Sequence, residues 1–232
     1  MDKIKTIAFD ADDTLWVNEP IFTNTRLRFE EILSSYISFD NSLEEQLYSV
    51  EKRNLQLFGY GIKGFTLSMI ESALELTSHE IKGKDIERII DLGKEMLQHP
   101  VEVLPYVDEV LDTLENHFQL MIVTKGDLWD QESKIARSGL IRYFKHVEIL
   151  SEKNSKSYNE LLKRHQIEPE EFLMIGNSLK SDILPVIELG AQAIYIPFHD
   201  TWSHEQVDKT EIKDVTFIEM SSISKLPDLL GV

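Results

Sequence analysis

Residues 4–10, IKTIAFD, form a short apolar run ending on a carboxylate, the pattern of a buried strand. The pattern then turns helical. PIFTNTRLRFEEILSSYI (20–37) spaces its apolar residues by three and four, and Pro20 suits a first helical turn. SLEEQLYSVEKRNLQLFG (42–59) opens on Ser42 and Glu45, a capping-box pattern, and stops at Gly59. KGFTLSMIESALELT (63–77) and KDIERIIDLGKEMLQH (84–99) predict two more helices, and Pro100 breaks the second. Gly59-Tyr60-Gly61 reads as a turn between helices.

Beyond Pro100 strands and helices alternate. Helices are expected at 106–117, 127–139, 157–166 and 181–190, and strands at 118–124, 146–150, 171–176 and 191–197. A short strand at 215–219 and a helix over the last ten residues complete the series. Such alternation implies parallel strands joined by crossovers. The expected fold is an α/β, doubly wound parallel-sheet (Rossmann-like) core with an all-α insert after the first strand. Residues 1–16 and 99–232 would form the core and 17–98 a helical domain, with linkers near Leu15–Pro20 and His99–Pro105.

Composition narrows the function. The 41 acidic and 24 basic side chains give a net charge of −17, which repels a nucleic-acid backbone. A small phosphorylated ligand stays compatible, because a metal ion and a few placed donors reverse the local field. The chain has no cysteine, which excludes disulfides and thiolate metal sites. No stretch approaches the ~20 apolar residues of a membrane span, and MDKIKTIAFDADD has no long apolar leader core. A soluble cytoplasmic protein with no membrane or nucleic-acid partner is the expectation.

Polar signals fall just past the ends of four predicted strands: Asp10 and Asp12, then Thr124, then Lys153, then Asn177 and Asp182. Ligands of open parallel sheets bind at that edge. A carboxylate can attack phosphorus to form an aspartyl-phosphate. A second carboxyl can protonate the leaving oxygen and then activate water. Thr14 supplies a hydroxyl to brace the turn. The run Trp202-Ser203-His204-Glu205 holds a histidine without a second at metal spacing and reads as structural.

Phe9-Asp10-Ala11-Asp12-Asp13-Thr14-Leu15 resembles the first motif of haloacid-dehalogenase-like phosphatases, and the likeness extends along the whole chain. The resemblance implies Asp10 as nucleophile and Asp12 as general acid/base, whose backbone carbonyl also binds metal. It implies Thr124, in Met121-Ile122-Val123-Thr124-Lys125-Gly126-Asp127, as a phosphoryl-binding hydroxyl. Gly176-Asn177-Ser178-Leu179-Lys180-Ser181-Asp182 resembles the motif that holds Mg2+, making Asp10, Asp12, Asn177 and Asp182 the implied ligands. The insert resembles a helical cap, and the implied strand order is 5-4-1-2-3.

Two positions depart from the family pattern. Asn177 stands where many members have Asp, so it brings an oxygen but no charge. The motif lysine often precedes a proline, and none follows here. Lys153 is preferred to Lys156 for its place nearer the strand end and before Tyr158. Lys125, Gly126 and Trp16 join Thr14 as candidate substrate contacts; Gly126 would let backbone donors approach phosphate, Trp16 equally suits a hinge, and Asp127 suits a helix cap. The expected reaction is Mg2+-dependent hydrolysis of a small phosphorylated metabolite. The alternatives are a haloacid dehalogenase on the same fold, which Asp12 and Asp182 oppose, and a non-catalytic or receiver-like phosphate-binding protein.

Overall fold

The computed structural model describes residues 1, 3–38, 42–199, 205, 207, 212 and 215–232. Six parallel strands make one sheet: β1 (Thr6–Phe9), β2 (Gln119–Lys125), β3 (His146–Leu150), β4 (Phe172–Gly176), β5 (Gln192–Tyr195) and β6 (Ile218–Glu219). Their order is β3-β2-β1-β4-β5-β6, the expected order with a two-residue strand added at one edge. β1 lies in the centre, with Ala8 opposite Met121 on one side and Met174 on the other.

Period-two alternation assigns the faces. Ile7, Phe9, Leu120, Ile122, Leu173 and Ile175 belong to one apolar cluster; Ala8, Met121, Val123, Phe172 and Met174 belong to another. Helix α5 (Val107–Leu114) closes the first face with Val107, Val110, Leu111 and Leu114, joined by Ile135 of α6 (Leu128–Ser138) and Leu226 of α9 (Leu226–Leu230). Helices α7 (Ser155–His165) and α8 (Leu184–Glu188) close the second with Tyr158, Leu161, Leu162 and Val186. Every β1 residue is buried, as a strand covered on both faces requires. Truncating such a side chain, Phe9→Ala for example, costs about 3–5 kcal/mol.

The chain separates into two compact units. One comprises Met1–Glu19, Val101–Lys125 and Ser133–Val232 and holds the sheet. The other comprises Pro20–Pro100 with Gly126–Glu132. Its helices α1 (Glu19–Leu33), α2 (Ser42–Phe58), α3 (Ile62–Leu76) and α4 (Gly83–Gln98) bury a separate core around Phe29, Leu33, Leu47, Phe65, Met69 and Ile89. On α3 the buried Ile62, Phe65, Met69 and Ala73 recur at helical spacing. The expected capping box at Ser42 rests on a side chain outside the described residues.

Two expectations at the C-terminal end need correction. The helix expected at 181–190 is divided. Residues Leu179–Ile183 form a wide helical turn in which the Leu184 N–H reaches back five residues to the Leu179 carbonyl, and α8 follows. Pro185, in the first turn of α8, has no N–H to continue the earlier ladder. The terminal helix is shortened to Leu226–Leu230, because Ser222 first caps a tight turn at Ile223–Lys225.

Candidate active site

β1 ends at Phe9, so Asp10 leaves the sheet at the carboxyl edge of its central strand. The Asp10 N–H still donates to the Ile175 carbonyl at 2.9 Å, which ties the turn to β4. Asp13 adopts a left-handed conformation (φ 60). Its carboxylate accepts from Asn18 N–H at 2.7 Å and Glu19 N–H at 2.9 Å, holding the start of α1. Thr14 Oγ1 lies 3.2 Å from Asp10 Oδ2 and 3.3 Å from Asn177 Oδ1. With one proton it donates to one oxygen at a time, and it braces the first-strand turn against the fourth-strand loop.

Lys153 is buried, whereas Lys156 is exposed. Its ammonium stands 2.5 Å from Asp10 Oδ1 and 2.7 Å from Asp182 Oδ1, bridging the two carboxylates. Asn154 caps α7 by accepting from Ser157 N–H at 3.0 Å, while Ser157 Oγ accepts from the Asn154 N–H at 3.0 Å. That reciprocal cap fixes where the chain leaves β3 and therefore where Lys153 points.

Asp182 is carried by the wide turn after β4. Its Oδ2 accepts from Ser178 N–H at 3.0 Å. Gly176 makes room for it: a methyl group there would sit 2.2 Å from Asp182 Oδ2. Burial raises the Asp10 and Asp182 carboxyls above their ordinary range, against the pull of Lys153. Burial alone would lower the Lys153 ammonium, but the two carboxylates beside it hold it well above its ordinary value.

Thr124 is buried at the end of β2. Lys125 Nζ lies 3.0 Å from Ser181 Oγ and pairs with Glu205. Gly126 sits at φ 141, and a side chain there would meet Gln131 Nε2 at 2.9 Å, so this position requires glycine. Asp127 does cap α6, accepting from the Asp130 N–H at 3.0 Å, and also pairs with Lys63 at 2.9 Å. Trp16, which equally suited a substrate contact or a hinge, is fully buried in the sheet core, and its indole N–H donates to Asp12 Oδ1 at 2.7 Å.

Two residues of this region escaped the sequence reading. Glu205 is the described residue of the Trp202–Glu205 run; residues 201–204 lie outside the described residues. Its carboxylate takes Lys125 and the Ser178 hydroxyl, and the Ser181 hydroxyl at 2.5 Å. Burial pushes this carboxyl up, but Lys125 and the three hydrogen bonds outweigh it and hold it at about 2. The second is Lys134 of α6, whose ammonium lies 2.7 and 2.8 Å from the two Asp12 oxygens. No local pattern announces either contact; Lys134 and Asp12 are 122 positions apart.

The donors near Asp10 are hard oxygens. Two buried carboxylates share one ammonium, a charge balance that suits an added cation. Among the described residues no three His, Cys, Asp or Glu side chains converge as a metal cage. The oxygen set here is two carboxylates and the Asn177 amide, linked through Lys153 and Thr14. Among the described residues, no helix is long and apolar enough to cross a membrane.

Residues 4–190 match the family model described as haloacid dehalogenase-like hydrolase. The glyceraldehyde 3-phosphate phosphatase of Methanothermobacter thermautotrophicus is 25% identical over 240 residues, covering 98% of this chain and all of that protein. A haloacid dehalogenase-like family hydrolase from Xanthomonas campestris superposes with a TM-score of 0.87 at 40% identity, over 99% of this chain and 91% of that one. The HAD-hydrolase YfnB of Bacillus subtilis, whose structure is described as bound to magnesium, shares the fold at a TM-score of 0.67 and 16% identity, over 99% of this chain and all of that one.

Proposed function

The chain belongs to the haloacid dehalogenase-like hydrolase family, and from that premise we propose that it is a phosphatase that hydrolyses small phosphate monoesters through Asp10. The observation that supports this most is the buried Lys153 ammonium shared by Asp10 and Asp182 at the carboxyl edge of the sheet. The phosphatase names of relatives such as the M. thermautotrophicus protein point the same way.

In this reading an Asp10 carboxylate oxygen attacks phosphorus, and the bond to the leaving oxygen breaks. The Asp12 carboxyl gives its proton to that oxygen, then as carboxylate takes a proton from water. The water oxygen attacks phosphorus, the Asp10–phosphorus bond breaks, and inorganic phosphate leaves. Lys153 and Thr124 bind phosphoryl oxygens, while Thr14 keeps Asp10 and Asn177 in register. The backbone at Gly126 is the further phosphate contact, Lys125 being paired with Glu205. Asp10, Asp182, Asn177 and the Asp12 carbonyl would hold Mg2+, which when bound supplies positive charge against the phosphoryl oxygens. Residues 1–16 and 99–232 act as the catalytic core, and 17–98 as a cap that selects the substrate. A cytoplasmic site of action on free phosphorylated metabolites completes the reading.

The test is hydrolysis of p-nitrophenyl phosphate and of a panel of three-carbon phosphates with Mg2+. Asp10→Asn should abolish turnover with the fold retained by circular dichroism, and excess chelator should silence the wild type until Mg2+ is restored. Turnover near wild type in Asp10→Asn would end the reading. Halide release from a 2-haloacid, with no phosphate release, would establish the dehalogenase alternative instead.

A further inference from the structure

Asp12 is gripped on both of its oxygens. Lys134 Nζ reaches Oδ1 at 2.7 Å and Oδ2 at 2.8 Å, and the Trp16 indole N–H reaches Oδ1 at 2.7 Å. Lys134 also stands 3.3 Å from Asn18 Oδ1. Lys134 is 8% exposed and Trp16 is fully buried, so neither donor is a loosely solvated arm. Burying a lysine costs rotamer freedom and hydration, and only charge-assisted hydrogen bonds of good geometry offset that.

The arrangement differs from an ordinary strut between a helix and a turn. Asp13 braces the turn through its backbone, accepting from the Asn18 and Glu19 N–H groups. Lys134 instead binds the reactive end of the Asp12 side chain. A carboxylate turning about two side-chain torsions has several staggered positions. Donors on both oxygens select one of them. Two N–H contacts from one ammonium also allow one oxygen to be released to a leaving group while the other stays held.

We propose that Lys134 is a positioning residue that holds the Asp12 carboxyl in its proton-transfer orientation. The proposal rests on the reading of Asp12 as general acid/base. The Lys134 ammonium is placed on the two Asp12 oxygens, so it acts on the reaction through Asp12. Misplacing a reacting group by about 1 Å is enough to cost on the order of 10²-fold in rate.

The experiment compares Lys134→Met, Lys134→Arg and wild type in single turnover with Mg2+, on p-nitrophenyl phosphate and on glycerol phosphate. Nitrophenolate departs without a proton, whereas an alkoxide needs one. Lys134→Met should slow cleavage of the alkyl ester roughly 10²-fold, with KM within about threefold and the nitrophenol burst nearly unchanged. Lys134→Arg should recover much of the alkyl-ester rate. Equal losses on both esters accompanied by a lower Tm would make Lys134 a structural strut and overturn the proposal; so would unchanged rates on both. Should Lys134→Met fail to fold, Lys134→Gln reads the same split. Asp12→Ala, run in parallel, separates the two failures: if it slows the alkyl ester selectively the underlying reading of Asp12 stands whatever Lys134 does, and if it slows neither ester both fall.

Discussion

Lys125 and Lys153 both pair with carboxylates drawn largely out of water, on different terms. Lys125 pairs with Glu205, whose carboxylate also accepts from the Ser178 and Ser181 hydroxyls. Lys153 faces two, Asp10 and Asp182. Burial raises all three carboxyls, yet Glu205 is held down at about 2 while Asp10 and Asp182 stay raised. The number of cations and donors per carboxylate decides the sign. Around Glu205 the donors outweigh burial, whereas Asp10 and Asp182 share one ammonium and stay short of positive charge, which suits the proposed phosphoryl-transfer site.

The comparison breaks most severely at Lys153. Lys153→Met leaves two buried carboxylates facing each other, and loss of one partner from a buried pair costs about 3–5 kcal/mol. Urea unfolding of the metal-free protein at pH 7 should show that loss, together with a fall in kcat of about 10²-fold or more. Stability and kcat within error of wild type would mean that the shared ammonium has no such role.

Next in size is Gly176→Ala. Its methyl group would stand 2.2 Å from Asp182 Oδ2 and 2.4 Å from Asp182 Cγ, so the carboxylate must move. Overpacking of this kind costs about 1–3 kcal/mol, and the thermal shift produced by Mg2+ should shrink with it. An undiminished Mg2+ shift would detach Asp182 from the metal.

The smallest effect is at the Lys125–Glu205 pair, and pH reads it. The Glu205 carboxyl in the folded protein, at about 2, lies below its ordinary 4.5. Its contribution is therefore present above pH 4.5 and lost as pH falls toward 2. Glu205→Gln should lower stability by about 1 kcal/mol at neutral pH and flatten the acid limb of the stability curve between pH 4.5 and 2. An acid limb identical to that of wild type would show that Glu205 is not held by Lys125 in solution.

The strands were legible because apolar runs such as TIAF and FLMIG can be buried only in a covered sheet, and their polar ends mark its ligand edge. Lys153 was legible from its distance to a strand end. What stayed hidden depends on contacts across long stretches of chain. In LWDQESKIARS a lysine looks like any solvated helix charge until Asp12 is brought to it by the fold. Glu205 sits in a segment with no periodicity to place it. Trp16 suited a ligand contact or a hinge equally from the sequence; the fold buries its large ring in the core, with its one polar atom satisfied by Asp12. The split of the expected 181–190 helix turned on a wide turn that periodicity does not report.

The central place of β1 sets a condition on how the protein is made. Its neighbours are residues 119–122 and 172–175, so neither edge can be filled until most of the chain has been synthesised. At ribosomal speeds of roughly 5–20 residues per second, the interval between Phe9 and Ile175 is on the order of ten to thirty seconds. The helices of residues 20–100 pair with near neighbours and can compact within that interval. The strand that presents Asp10 is among the first segments to leave the ribosome and one of the last to be enclosed, so chaperones that cover short apolar runs at that stage should raise the yield of folded protein.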